Sequence, residues 1–239
     1  MSEISDRLDQ VRRKIAQAAL SCDRRPEEVK LIAVCKTFPA GAVEEAAAAG
    51  QLAFGENRVQ EAAAKIPQLV CASPLEWHLI GHLQSNKAHK AAAIFDWIHS
   101  VDSLKLLNRL NEAAAVAGKV LPVLLQVDLA GEATKSGATI EELQPMLASA
   151  AGMIHLSVRG LMIIPPYLEN PEEVRPYFRR LRELRDRLAA EEPPGVELEE
   201  LSMGMSHDFE VAIAEGSTMV RVGTAIFGVR GPVEPFPVQ

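Results

Sequence analysis

The sequence predicts a parallel (β/α)8 barrel of the TIM type with an extra N-terminal helix. After Pro26, eight short β-rich runs alternate with longer, often Ala-rich helical runs, and parallel strands need such crossover helices. No linker, low-complexity tract or convincing repeat divides the chain. Residues 1–239 are therefore expected to form a single domain, with residues 1–20 as the added helix. An open doubly wound sheet is the rival reading of the same alternation.

The elements follow in order. Residues 3 to 20 place Ile4, Leu8, Val11 and Ile15 on one helical face. That helix is expected to lie over the bottom of the barrel. The strand runs are LIAVCK (31–36), LAFGE (52–56), EWHLIG (76–81), DWIHSV (96–101), LPVLLQVDL (121–129), VRGLMII (158–164), ELEELSM (197–203) and MVRVGTA (219–225). The first opens on four apolar residues, as in a strand buried on both faces. Leu104, Leu107, Leu110 and Ala114 recur at helical spacing between the fourth and fifth strands. Val174, Phe178, Leu181, Leu184 and Leu188 do so after Pro171, which occupies a tolerated first-turn position.

Composition narrows the class. Hydrophobic residues make up 48% and charged residues 24%, which favours a globular chain over a disordered one. A net charge of -7 argues against a general nucleic-acid binder. No apolar run is long enough to span a bilayer, and the charged N-terminus lacks the apolar core of a secretory signal. Cys22, Cys35 and Cys71 have neither metal-ligand spacing nor the pattern of a disulfide framework. A cytoplasmic protein is expected.

Chemistry is expected at the C-terminal ends of the strands, where barrel active sites sit. Lys36 ends the first strand. On that stretch alone it reads as a lysine whose stem is buried and whose amine reaches water. The alternative is an amine of lowered pKa that attacks a carbonyl to form a Schiff base. The last strand strengthens the second reading. Residues alternate faces along a strand, so Val220 and Val222 face the helices and Arg221 points into the barrel. A guanidinium there needs a partner. Gly223 lets backbone N–H groups approach an anion, and the Thr224 hydroxyl adds a donor. Ser206 is placed to cap the helix after strand seven and to bring its amides to the same anion. Asp208 favours that helix dipole and is expected to turn away from a phosphate.

A Schiff-base lysine beside a phosphate cradle suits a phosphorylated aldehyde. Pyridoxal 5'-phosphate has both groups, and Arg221 would face its ring nitrogen.

The segments LIAVCKTFP, FGENRVQE, WHLIGHLQSNK, RGLMIIP and LSMGMSHDFEVAIAEGSTMVRVGTAIFG together resemble the pyridoxal phosphate homeostasis protein family, related to the barrel domain of alanine racemase. They cover nearly the whole chain. The resemblance implies an alanine racemase N-terminal domain-like barrel with Lys36 as the covalent attachment point, through an internal aldimine. It implies that Arg221 meets the ring nitrogen and that Ser206, Gly223 and Thr224 bind the phosphate. Asn57 matches an asparagine beside the cofactor, and Ser202 and Met203 match residues lining the pocket. His207 departs from the Asp or Ala common among relatives.

Other residues read more plainly. His78 is expected in the core and His82 at the rim, and neither has the company of a metal site. Lys135 and Ser136 are expected in a solvated loop. Met205, like Met203, can simply pack.

Three functions fit these residues. One is a protein that sequesters pyridoxal 5'-phosphate and passes it to apo-enzymes, without substantial amino-acid turnover. One is a racemase with an unusual second base, and one is a Schiff-base aldolase acting on a phosphorylated sugar. A guanidinium is already charged and can only donate, so it leaves the ring nitrogen unprotonated and the electron sink weak. Racemisation also needs a second base. In alanine racemases this is a tyrosine supplied by a partner subunit's C-terminal β-domain, and with Gln239 so soon after the last strand that domain is expected to be absent here. Tyr167 and Tyr177 are the only tyrosines. Tyr177 falls in a helical run, whereas Tyr167 follows the sixth strand and is expected to pack at the rim. The first function is favoured, with no nucleic-acid or membrane partner and a monomeric state.

Overall fold

A computed structural model describes residues 2–131, 136–191, 193 and 195–228. Its centre is a closed barrel of parallel strands in sequence order. They are β1 (Lys30–Val34), β2 (Ala53–Glu56), β3 (Glu76–Leu79), β4 (Trp97–Val101), β5 (Leu121–Gln126), β6 (Leu156–Met162), β7 (Glu200–Met205) and β8 (Met219–Val222). Closure pairs β8 with β1, setting Arg221 opposite Ile32 and Val222 opposite Ala33. The barrel excludes the open doubly wound sheet.

Between and after the strands run α2 (Ala40–Ala48), α3 (Val59–Lys65), α4 (Ala88–Ile94), α5 (Leu104–Val116), α6 (Ile140–Ala150), α7 (Arg175–Ala190), α8 (Phe209–Ala214) and α9 (Thr224–Phe227). The leading helix, α1 (Glu3–Leu20), starts at Ser2, whose hydroxyl accepts from the Ser5 amide at 3.3 Å. Its Leu8, Val11, Ile15 and Ala19 are buried. It packs along the barrel's side against α2, α8 and α9, and not over the bottom. The apolar stripe it carries needs an apolar surface, and the barrel's lower mouth is charged, with Glu27, Glu28, Lys30 and Glu200 lining a cavity there. Pro171 opens a 3-10 turn before α7, with the Asn170 side chain accepting from the Glu172 amide at 3.1 Å.

Strand alternation sorts the core into two layers. Ala33, Val220 and Val222 belong to the large outer cluster between strands and helices. Ile32, Leu124, Met162 and Met219 form a small apolar layer inside the barrel, with Trp97 against it. Several strands stop short of the runs expected for them. β1 ends at Val34 and β8 at Val222, so Lys36 and Gly223 stand in the turns beyond the ladder and Thr224 opens α9. Among the described residues no helix is long and apolar enough to cross a membrane.

One irregularity shapes the upper mouth. The β7–β8 register shifts between Ser202 and Met205, and Gly204 between them has φ +93°. A Cβ on Gly204 would lie 2.6 Å from Ala212 Cβ and 2.9 Å from Phe209 Cα. Gly204→Ala is therefore expected to cost more than about 2 kcal/mol, through both backbone conformation and collision with α8. Chemical denaturation measures it, and a loss below about 0.5 kcal/mol would contradict this role for the bend.

Candidate functional site

The upper mouth gathers the expected residues by strand order. β7, β8, β1 and β2 are consecutive neighbours around the barrel. Their C-terminal ends carry Ser206, Gly223 with Thr224, Lys36, and Asn57 respectively. Lys36 is half-buried two residues past β1. It continues the inward series of Ile32, and Thr37 after it has φ +69°. Asn57 is half-buried past β2, with its main chain against Gly81.

Ser206 does not cap α8. Asp208 precedes that helix, and its Oδ1 accepts from the Met205 amide at 2.6 Å. Burial raises the Asp208 carboxyl above its ordinary range. The bend at Gly204 swings Ser206 toward the β8 turn instead. There its Oγ accepts from the amides of Gly223 at 3.2 Å and Ala225 at 3.4 Å. Gly223 also lies close to the end of β1, since a Cβ on it would sit 3.1 Å from the Val34 carbonyl oxygen. Thr224 is exposed and opens α9.

Arg221 points into the barrel and is 4% exposed. It donates to Ser202 Oγ at 2.6 Å and to the Ile163 carbonyl at 2.8 Å. Burial lowers its guanidinium to about 10, against the pull of Asp208, so it remains charged at neutral pH. Ser202 faces the interior beside it. Met203 does not: its side chain packs in the outer cluster, because adjacent strand residues face opposite ways. Only its main chain is left to line a pocket.

Below Arg221 runs a chain of polar groups that sequence reasoning did not assemble. His99 Nδ1 is 2.8 Å from Ser202 Oγ, and His99 Nε2 is 2.9 Å from His78 Nδ1. His78 Nε2 lies 3.5 Å from Glu76 Oε1, which accepts from Lys30 Nζ at 3.0 Å. The donor rules set one direction along it. Arg221 can only donate, so the Ser202 hydroxyl accepts from it and gives its own proton to His99 Nδ1. Burial lowers both imidazole pKa values, so both rings are neutral. His99 then carries its proton on Nε2, and His78 carries its own on Nε2, facing Glu76. His78 is thus a core residue within a network. The available signal was the alternation of WIHSV, which places Trp97 and His99 on one face.

At the rim, His82 Nδ1 lies 3.1 Å from Asp102 Oδ2. His82 lines a cavity of about 140 Å³ with Gln126, Ser136 and Ile164. Gln126 Nε2 donates to the Ser136 carbonyl at 2.5 Å. Lys135 lies outside the described residues. Tyr167 is 74% exposed and packs its ring on His207, with centroids 5.2 Å apart. Tyr177 packs against the outer cluster. Among the described residues no group of three His, Cys, Asp or Glu side chains could hold a metal ion.

The model for the alanine racemase N-terminal domain matches residues 7–231. The chain is 46% identical over 232 residues to a pyridoxal phosphate homeostasis protein of Escherichia coli (strain K12), covering 96% of this chain and 98% of that one. A protein of the same name from Aquifex aeolicus (strain VF5) is 45% identical, with 94% and 97% covered. The solved structure of PipY of Synechococcus elongatus PCC7942 with PLP bound matches with a TM-score of 0.83. It is 43% identical, with 94% of this chain and 100% of that chain covered.

The neutral histidines set a pH dependence. A group with a folded pKa below its unfolded value contributes stability above the unfolded pKa, near 6.5 for histidine, and loses it as pH falls. Stability should decline below about pH 6.5, by up to about 1.4 kcal/mol per pH unit for each ring. The raised carboxyls of Glu56 and Asp208 oppose this slope in the acid range. The comparison is therefore made with His99→Gln, which should flatten the decline between pH 7 and pH 5. An identical slope in the variant would sink the assignment.

Proposed function

The chain belongs to the pyridoxal phosphate homeostasis protein family, built on the alanine racemase N-terminal domain, and from that premise we propose that it holds pyridoxal 5'-phosphate covalently and serves its intracellular homeostasis. The observation that carries this reading is that Ser206, Gly223 and Lys36 follow the ends of three consecutive strands, β7, β8 and β1, with the buried guanidinium of Arg221 on β8.

The residues present fit the group. Ser206 accepts two amide protons and keeps its own hydroxyl proton to donate to a phosphate. Gly223, with no side chain, leaves the strand ends open between Ser206 and Val34. Thr224 adds an exposed hydroxyl, and Asn57, Ser202 and the main chain of Met203 complete the walls. Lys36 supplies the attaching amine. Bound pyridoxal phosphate brings an aldehyde for that amine and a ring that draws electrons.

Arg221 separates carriage from turnover. Ser202 and the Ile163 carbonyl hold it as a fixed donor, and at neutral pH it neither accepts a proton nor readily gives one up. A ring nitrogen facing it gains no proton, which supports storage over amino-acid chemistry. Tyr167 stacks on His207 at the surface, which favours a packing role over that of a second base. The same reading takes the protein as a cytoplasmic monomer, with apo-enzymes as recipients.

Lys36→Ala should abolish the borohydride-trapped pyridoxyl adduct while leaving the melting temperature within a few degrees of the parent. Mass mapping that still finds the adduct in the variant would refute the attachment site. Arg221→Glu should change the visible spectrum of the loaded protein and raise solvent exchange of amino-acid α-protons. An unchanged spectrum and exchange rate would remove Arg221 from the ring nitrogen. Rapid exchange by the unmodified protein would instead favour the racemase.

A further inference from the structure

The turn that carries Lys36 is gripped from outside the barrel. Cys35, Glu56, Glu61 and Lys65 are all buried between β1, β2 and α3. Lys65 Nζ donates to the Cys35 carbonyl at 2.8 Å, to Glu61 Oε1 at 3.1 Å and to Glu56 Oε1. The same Glu61 oxygen accepts from the Thr37 amide. The carbonyl before Lys36 and the amide after it are thus held by two residues one turn apart on α3.

What they hold is unfavourable in itself. Thr37 has φ +69°, a region that β-branched residues avoid. Among the described residues its buried hydroxyl has no hydrogen-bond partner, nor has Glu56 Oε2. Docking α3 does not require this. Val59 and Ala62 already bury that helix against the outer cluster, and buried ion pairs are weak contributors to stability. Strain of this kind persists where the surroundings over-determine it, typically at a working site.

We propose that Glu61 and Lys65 are positioning residues for Lys36, holding Thr37 in its left-handed conformation so that the amine is presented to the barrel mouth. This rests on Lys36 being the attachment amine. Without the grip, Thr37 returns to negative φ, the presented fraction falls, and apparent affinity falls by the same factor.

The test is a double-mutant cycle on the full-length protein, read as affinity for added pyridoxal phosphate. Glu61→Ala should weaken binding about tenfold. In a Thr37→Gly background, where glycine accepts the left-handed conformation freely, the same change should cost less than about threefold. Glu61→Gln keeps the acceptor oxygen and should stay within about threefold of the parent. Equal losses in both backgrounds, or no loss with Thr37 present, would overturn the proposal. Should Glu61→Ala fail to fold, amide hydrogen exchange of the unmodified protein decides. The Thr37 amide must be protected like those of β1, and exchange at the rate of an unstructured amide would overturn the grip. If Lys36→Ala keeps the adduct, the functional reading fails instead, and Thr37 exchange still judges the grip alone.

Discussion

A guanidinium inside a protein must be given acceptors, and much of this barrel's interior follows from that need. Arg221 can only donate. It takes the Ser202 hydroxyl and the Ile163 carbonyl, and Ser202 must then pass its proton onward. The consequence runs through His99 and His78 toward Glu76 and Lys30. Inside the barrel, Ile32, Leu124, Met162 and Met219 form a small apolar layer. The outer layer, between strands and helices, supplies most of the apolar burial.

This division of labour leaves the upper mouth free for chemistry. The strand ends that meet there are irregular, and each irregularity places one group. The bend at Gly204 delivers Ser206 to the amides of Gly223 and Ala225. The turn after β1 delivers Lys36. The strained part of that turn is held from the outside by α3, so the two layers meet functionally at a single peptide segment, residues 35 to 37.

The strand-level architecture was legible because two-residue alternation is local. Val220, Arg221 and Val222 in order already state which side chain enters the barrel, and the repeated crossover pattern states that the sheet is parallel. The ends of strands were less legible. Lys36 and Gly223 continue the alternation although the hydrogen-bond ladder has stopped, so the expected runs overshot. Ser206 was assigned to the nearest helix because capping is a sequence-local rule, and the Gly204 bend that redirects it is set by contact with α8. Met203 was matched to a pocket by its segment, whereas its face is dictated by Ser202 beside it. The cluster of Glu56, Glu61 and Lys65 carried one faint signal, the spacing of four between Glu61 and Lys65. Its partners on β1 come only from tertiary packing.

The side-on seat of α1 bears on how the chain acquires its fold. Lys14 pairs with Glu210 across 196 positions of sequence, and the helix as a whole rests on α2, α8 and α9. This helix, made before the barrel strands, therefore waits for β8 and α9 before its Leu8, Val11 and Ile15 face is fully covered. Such non-local closure is slow compared with local pairing. On a ribosome adding about 5–20 residues per second, that stripe stays uncovered for about ten seconds or more. The polar residues between its apolar positions then have a second use, keeping a waiting helix soluble until the barrel's seam can form.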